Sequence, residues 1–210
     1  MRPGHAAFGL LVAGFLIQLG TIVWAGAVYP GYDHALQYIS ELGATGAVTG
    51  PAVSWWGFVP SGLLIGAGCL GGAWLMRRNT LAALAWVLLA WYGLTLAAAG
   101  VYPCAFECTR ADSSFNALMH DLYGGTGYLT GIVGVALAGL AARRGGRAGL
   151  AILALICTVL AVLGFAGVIA EASPGGLIQR MLEGAVALFI LSFGWTLSQD
   201  RPVGAKGQAF

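Results

Sequence analysis

Charge is what this sequence has least of. Only 9% of its 210 residues are Asp, Glu, Lys or Arg, against 59% apolar, where a soluble domain carries about a quarter charged. A chain this poor in charge cannot cover a water-soluble fold. The net charge is only +2, which leaves no basic surface for nucleic acid. Histidine is limited to His5, His34 and His120 and cysteine to four residues. No phosphate-cradling loop stands out among the 34 glycines. Haem is not expected either, since axial histidines belong within spans and His120 lies at the end of one. No cofactor and no metal are predicted.

What the chain has is long apolar runs. Six of them lie at about 6–28, 57–76, 81–101, 122–142, 150–170 and 177–198. Each is near the roughly 20 residues a helix needs to cross a bilayer. None shows the alternation of a barrel strand, and lipid offers an open backbone no partner. The reading is an all-α polytopic membrane protein. A single six-helix transmembrane domain occupies 1–200, followed by a tail over 201–210. Arg2, an apolar stretch and "AGA" (Ala25–Ala27) also resemble a secretory signal. The run exceeds the 7–15 apolar residues of such a signal, so an uncleaved span is expected.

The charges sort by loop. Arg2, Arg77, Arg78, Arg143, Arg144, Arg147, Arg201 and Lys206 fall on one side, with Arg110 and Arg180 on the other. Asp33, Glu41, Glu107, Asp112, Asp121, Glu171 and Glu183 join the second side, leaving Asp200 on the first. The positive-inside rule predicts a multi-pass inner-membrane protein with both termini cytoplasmic. The polar loops then face outward, and Tyr29, Tyr32, Tyr38, Trp55, Trp56, Tyr102 and Tyr123 gather at that boundary.

"AGAVYP" ends the first run and "AAGVYP" the third, with "GVIAEASP" a weaker echo after the fifth. The pattern suggests three helical hairpins, each presenting its outer end to a common centre. Glycines four apart (Gly62/Gly66, Gly68/Gly72, Gly127/Gly131) let helices approach closely. They predict compact packing within the bundle, with an oligomer seam as the lesser alternative. Pro60, near the start of the second run, predicts a tolerated missing amide proton or a bend.

The candidate chemistry is all on the outer side. Cys104 and Cys108 flank three residues in an oxidising location and predict a disulfide; the alternative is two ligands of a metal. His120 and Asp121 open the fourth helix, and His120 reads equally as general base, metal ligand or interfacial histidine bonded to a carbonyl. Arg180 and Glu183 lie three apart in the sixth helix, which Ser173 or the glycines can cap. Charges at that depth predict a site or a structural ion pair. Together with "YISELGATG" (Tyr38–Gly46) they predict an outward polar cluster. In it His120, Glu41, Ser40 and Asp121 are catalytic candidates, and Arg180, Glu183, Asp33 and His34 are substrate-binding candidates. Arg180 would take a phosphate or carboxylate; Ser40 would be a nucleophile beside His120 and an acid.

"YISELGATG", the outer "YPC…C" with His120 downstream, and "GLIQRMLEG" (Gly176–Gly184) resemble a prokaryotic family catalogued as domain of unknown function 998. A remoter similarity is to eukaryotic Frag1/DRAM/Sfk1 membrane proteins, which implies lipid handling only by analogy. The expected function is processing of a lipid or lipid-linked substrate at the outer leaflet. The alternatives are a lipid- or solute-binding transport protein and a structural accessory subunit. Membrane lipids and a small-molecule or lipid ligand are the expected partners.

Overall fold

In a computed structural model, residues 2–109 and 111–199 are described; Arg110 and the tail over 201–210 lie outside them. Every apolar run forms a helix, and no strand occurs among the described residues. The helices are α1 (Pro3–Val28), α2 (Gly50–Leu75), α3 (Thr80–Val101), α4 (Phe115–Arg144), α5 (Ala148–Ile169) and α6 (Gly175–Ser198). All six are long and apolar enough to cross a membrane. Their outward faces carry Leu16, Val23, Leu155 and Leu163, all exposed. In water such a surface would be costly; in hydrocarbon it is the surface required.

Two helices begin well before their apolar runs, and local chemistry gives the reason. At α4, Ser114 Oγ accepts the Ala117 amide at 3.3 Å, while Asp112 Oδ1 holds the Ser114 amide at 2.7 Å. This capped start puts His120 in the second turn of α4 rather than at its opening. At the other, α2 starts at Gly50 with Pro51 in its first turn, where a missing N–H costs nothing. Pro60 therefore lies well inside α2. Its ring cannot donate to the Trp56 carbonyl and would clash with it in α-helical register. The segment Val53–Phe58 widens into a π-helical turn, with the Val59 amide reaching Ser54 O. A local rewinding thus absorbs the proline.

The helices pack in chain order, each on the next, and α6 also packs on α1 to close the ring. The six spans thus form one continuous wall. Trp86 and Phe193 stack at 4.5 Å inside it, beside fully buried Leu11, Ile65, Leu89 and Phe189. The spaced glycines lie in these seams. A Cβ on Gly62 would sit 2.4 Å from the Ala97 amide and 2.6 Å from the Gly93 carbonyl. On Gly68 it would meet Leu11, on Gly72 the Trp86 ring, and on Gly127 and Gly131 the Thr95 and Tyr92 side chains. These glycines serve contact between helices of one chain.

Two short turns shape the loop-bearing end. Ser40–Gly43 forms one, with Leu42 fully buried; Phe106–Cys108 forms the other. The Thr45 amide donates to Cys104 O at 2.9 Å and joins the two loops.

Gly62→Ala puts a methyl group against backbone that has no rotamer to change. The expected loss is about 1–3 kcal/mol, read as a lower unfolding temperature of the detergent-solubilised protein. Gly9→Ala, which meets nothing within 4 Å, is expected to leave that temperature unchanged or slightly raised.

Candidate functional site

A small polar cleft opens in the loop-bearing half of the bundle. Ser40, Tyr92, Thr95, His120, Tyr128, Gln179 and Glu183 supply its polar lining, with Phe58 and Leu96 among the apolar groups. Its volume is about 60 Å³, room for a few water molecules at ~10–15 Å³ each. At one edge Gly124 has no atom within 4 Å of where a Cβ would stand.

Glu183 organises the floor of the cleft. It lies about 12 Å along α6 from Gly175 by helical rise. Tyr128 donates its hydroxyl to Glu183 Oε1 at 2.9 Å, and the Gln18 amide donates to Oε2 at 3.1 Å. Gln179 Nε2 donates to the Tyr128 oxygen at 2.8 Å, and Gln179 Oε1 accepts the backbone N–H of Ile39. One hydrogen-bonded chain therefore runs from the Ser40 turn through α6 and α4 to a carboxyl group that α1 also holds. Gln18 and Gln179 are both buried. Tyr92 is buried beside this chain, and its hydroxyl has no hydrogen-bond partner among the described residues.

At the cleft's upper wall, His120 Nδ1 lies 3.0 Å from the Tyr102 carbonyl oxygen. A carbonyl can only accept, so Nδ1 carries the proton and neutral His120 presents a lone pair at Nε2. Cys104 and Cys108 are joined, with Cα atoms 5.0 Å apart, so the disulfide anticipated from the sequence is present. Ser40 Oγ lies 3.2 Å from Cys108 Sγ. No hydrogen bond links Ser40 to His120 among the described residues. Asp121 is exposed, and Glu41 turns to its own loop, so no Ser–His–acid relay is assembled. Glu41 is buried and accepts the Tyr38 amide at 2.8 Å and Gln37 Nε2 at 2.9 Å. Its role is to close the Ser40 turn.

The remaining charged candidates form a latch rather than a binding face. Arg180 donates to Gln37 O and Gly176 O, both at 3.0 Å, and to the Tyr32 hydroxyl at 2.8 Å; His34 Nδ1 is 3.0 Å away. Arg180 and Glu183 thus take separate partners instead of pairing with each other. Asp33 Oδ1 caps the loop by accepting the Ala35 and Leu36 amides at 2.7 and 3.3 Å. No side chain caps α6; its Gly176 and Leu177 amides donate to Leu36 O and Ala35 O of the first loop. Only glycine fits at 176, where a Cβ would meet three loop carbonyls within 2.8 Å. Burial pushes the Tyr32 phenol above its ordinary value, with the Arg180 hydrogen bond opposing. Tyr32 therefore stays protonated and donates to Tyr38 O at 2.7 Å. Its contribution is complete below the ordinary tyrosine range and is lost as pH climbs through the raised value. Arg180→Ala is expected to raise amide hydrogen exchange across residues 33–42 by at least about tenfold, as loss of charge-assisted bonds worth roughly 1.5–3 kcal/mol each requires. Protection in the core of α3 should be unchanged.

Sequence reasoning reached Ser40, His120 and Glu183 but missed Gln18, Tyr92, Thr95, Tyr128 and Gln179. Gln18 interrupts an apolar run and Gln179 adjoins Arg180, and polar groups at such depth are signals in themselves. The tyrosines carried no signal, since their positions suit core packing as well. The description "Protein of unknown function (DUF998)" matches residues 12–196, a span that reaches all six helices and contains every residue of the cleft. No curated protein and no solved structure matches the chain. With its "YISELGATG" turn, disulfide loop and α6 network all inside the matched span, the chain belongs to the DUF998 family of proteins of unknown function.

Proposed function

We propose that this membrane protein recognises the hydroxyl or amine end of a lipid or lipid-linked molecule, entering the cleft from the outer leaflet, and that His120 and Glu183 act on it. The observation that supports this is the make-up of the cleft. A carboxyl group, an imidazole, two phenols, a carboxamide and two hydroxyls converge there, and among the described residues no Lys or Arg lines it. Such a site favours a hydrogen-bonding group that is neutral or cationic. A phosphate would face Glu183, and Arg180, three residues away on the same helix, has four protein partners already. The small volume suits the end of a headgroup, with the rest of the molecule lying against the bundle. On the charge-based orientation this end faces the outer leaflet.

The chemistry follows from His120. With Nδ1 bonded to Tyr102 O, Nε2 is the atom able to accept a proton from a hydroxyl. His120 would thereby activate the ligand's own hydroxyl, without the Ser40 relay that the geometry does not provide. Glu183 is placed to hold an ammonium or to accept from a hydroxyl, depending on the ligand.

Lipid mass spectrometry tests this on the purified protein and on membranes of cells lacking it, restored with wild type, Glu183→Gln or Gly124→Leu at matched folded levels. Gly124→Leu projects into open space, so it should narrow the cleft without disturbing the core. A lipid that co-purifies with wild type and falls at least fivefold in both variants supports recognition. A species whose abundance in cells follows wild type but neither variant supports chemistry, and its altered bond identifies the reaction. Co-purification of an anionic lipid at the same level in wild type and both cleft variants would sink the proposal.

A further inference from the structure

We propose that Cys104, Cys108 and His120 form a redox-gated binding site for a thiophilic d10 cation such as Zn2+, closed when the cysteines are joined and open when a dithiol has reduced them. The inference goes beyond the cleft's ligand and does not rest on it.

The placement of donors comes first. One ligand atom from each of the three residues lies within 4.8 Å of the others. Tetrahedral zinc, with Zn–S near 2.3 Å and Zn–N near 2.0–2.1 Å, holds its sulfurs about 3.8 Å apart. The sulfurs are joined in a disulfide, and a disulfide sulfur has no thiolate to offer, so occupancy requires that bond to be broken. Metal and disulfide are therefore alternatives, and this makes the site a switch.

The surroundings are those of a ligand set. His120 gives its Nδ1 proton to the Tyr102 carbonyl, the second-sphere contact that fixes the tautomer of metal-binding histidines and leaves Nε2 to coordinate. Ser40 serves both sulfurs: its carbonyl oxygen is 3.7 Å from Cys104 Sγ and its hydroxyl 3.2 Å from Cys108 Sγ. In the disulfide neither sulfur carries a proton, so only the Ser40 hydroxyl can donate. After reduction the Cys104 thiol gains the carbonyl as acceptor. The same serine thus provides a partner in either state. Cys108 is half-buried, which leaves an incoming thiol a sulfur to attack, whereas Cys104 is buried. The intervening turn also holds Glu107 and Cys108 in left-handed backbone at φ 57° and 47°, conformations that L-residues adopt at a cost and that cluster at functional sites.

The chemistry balances. A dithiol reductant is oxidised to its disulfide while the Cys104–Cys108 bond takes two electrons and two protons to give two thiols. Zn2+ then binds both sulfurs as thiolates and His120 Nε2, releasing the two protons. Three protein ligands leave a fourth position for water or for Ser40. Exchange with an external disulfide, which takes the two electrons and two protons to become two thiols, restores the Cys104–Cys108 bond and expels the ion.

The test is a titration of the purified full chain in detergent with Co2+, followed by displacement with Zn2+. Protein is used as isolated and after dithiothreitol treatment with anaerobic removal of the reductant. Thiolate-to-cobalt charge-transfer absorption is expected to saturate at one equivalent in reduced protein, to vanish on adding Zn2+, and to be absent from the oxidised protein. Buried Cys69 and Cys157 are present in both states and set the background. His120→Gln, which keeps the disulfide, is expected to weaken Co2+ binding on the order of tenfold or more. Equal binding in both redox states overturns the proposal, as does a His120→Gln protein that binds like wild type. A disulfide that dithiothreitol opens only when the bundle also loses its circular dichroism overturns it too.

Discussion

A carboxyl group inside the apolar half of a helical bundle has to be met by protein donors, because hydrocarbon supplies none. Much of this molecule's loop-bearing end follows from how Glu183 is met. Tyr128 from α4 and Gln18 from α1 take one oxygen each. Tyr128 must then be satisfied as an acceptor, which Gln179 does, and Gln179 in turn takes the Ile39 amide. This one carboxyl group therefore fixes the register of α1, α4 and α6 against one another. It also fixes where the Ser40 turn sits. Moving any one of these elements by a residue leaves a polar group unpaired at depth, and a half-satisfied network is costlier than an apolar one.

Such a network can exist only if the helices come close, and small residues provide that closeness. Lipid gives no hydrophobic force between helices, so van der Waals contact and interhelical hydrogen bonds must hold them. Gly127 and Gly131 of α4 receive Thr95 and Tyr92 of α3, which brings those side chains to the cleft wall. Gly26 does the same for the His34 ring, and Gly175 for the Tyr38 ring. Here the glycine content is a packing property that also shapes the site.

The architecture was legible because its signal is additive. Apolar runs, scarce charge and the bilayer's demand for satisfied backbone all point to six helices, and six are present. The ends of the helices were not legible. The start of α4 depends on the Ser114 cap and that of α2 on a glycine–proline pair, and apolarity reports neither. The site was half legible. Charges marked α6 and the Ser40 turn correctly as places where polar groups gather, but charge alone cannot say which way a side chain turns. Arg180 and Glu41, the most conspicuous residues, proved to hold backbone. Tyr128, Gln18 and Gln179, which hold the carboxyl group, are uncharged and scattered over the 162 positions from Gln18 to Gln179.

The separation of Arg180 from Glu183 decides the character of the cleft. Three residues apart on one helix, they could have neutralised each other and left a structural pair with little to offer a ligand. Instead the Gln37 and Gly176 carbonyls draw the guanidinium toward the loop, where Nη1 donates to both and Nη2 donates to the Tyr32 hydroxyl. The carboxyl group turns the other way, toward the Tyr128 hydroxyl and the Gln18 amide that hydrogen-bond it. The loop latch therefore keeps Arg180 out of the cleft and, by docking the Ser40 turn, supplies one of the cleft's walls. Ser40 touches the disulfide on its other side. Polar cleft, latch and disulfide loop share that one turn, which is why "YISELGATG" is the stretch on which the three meet.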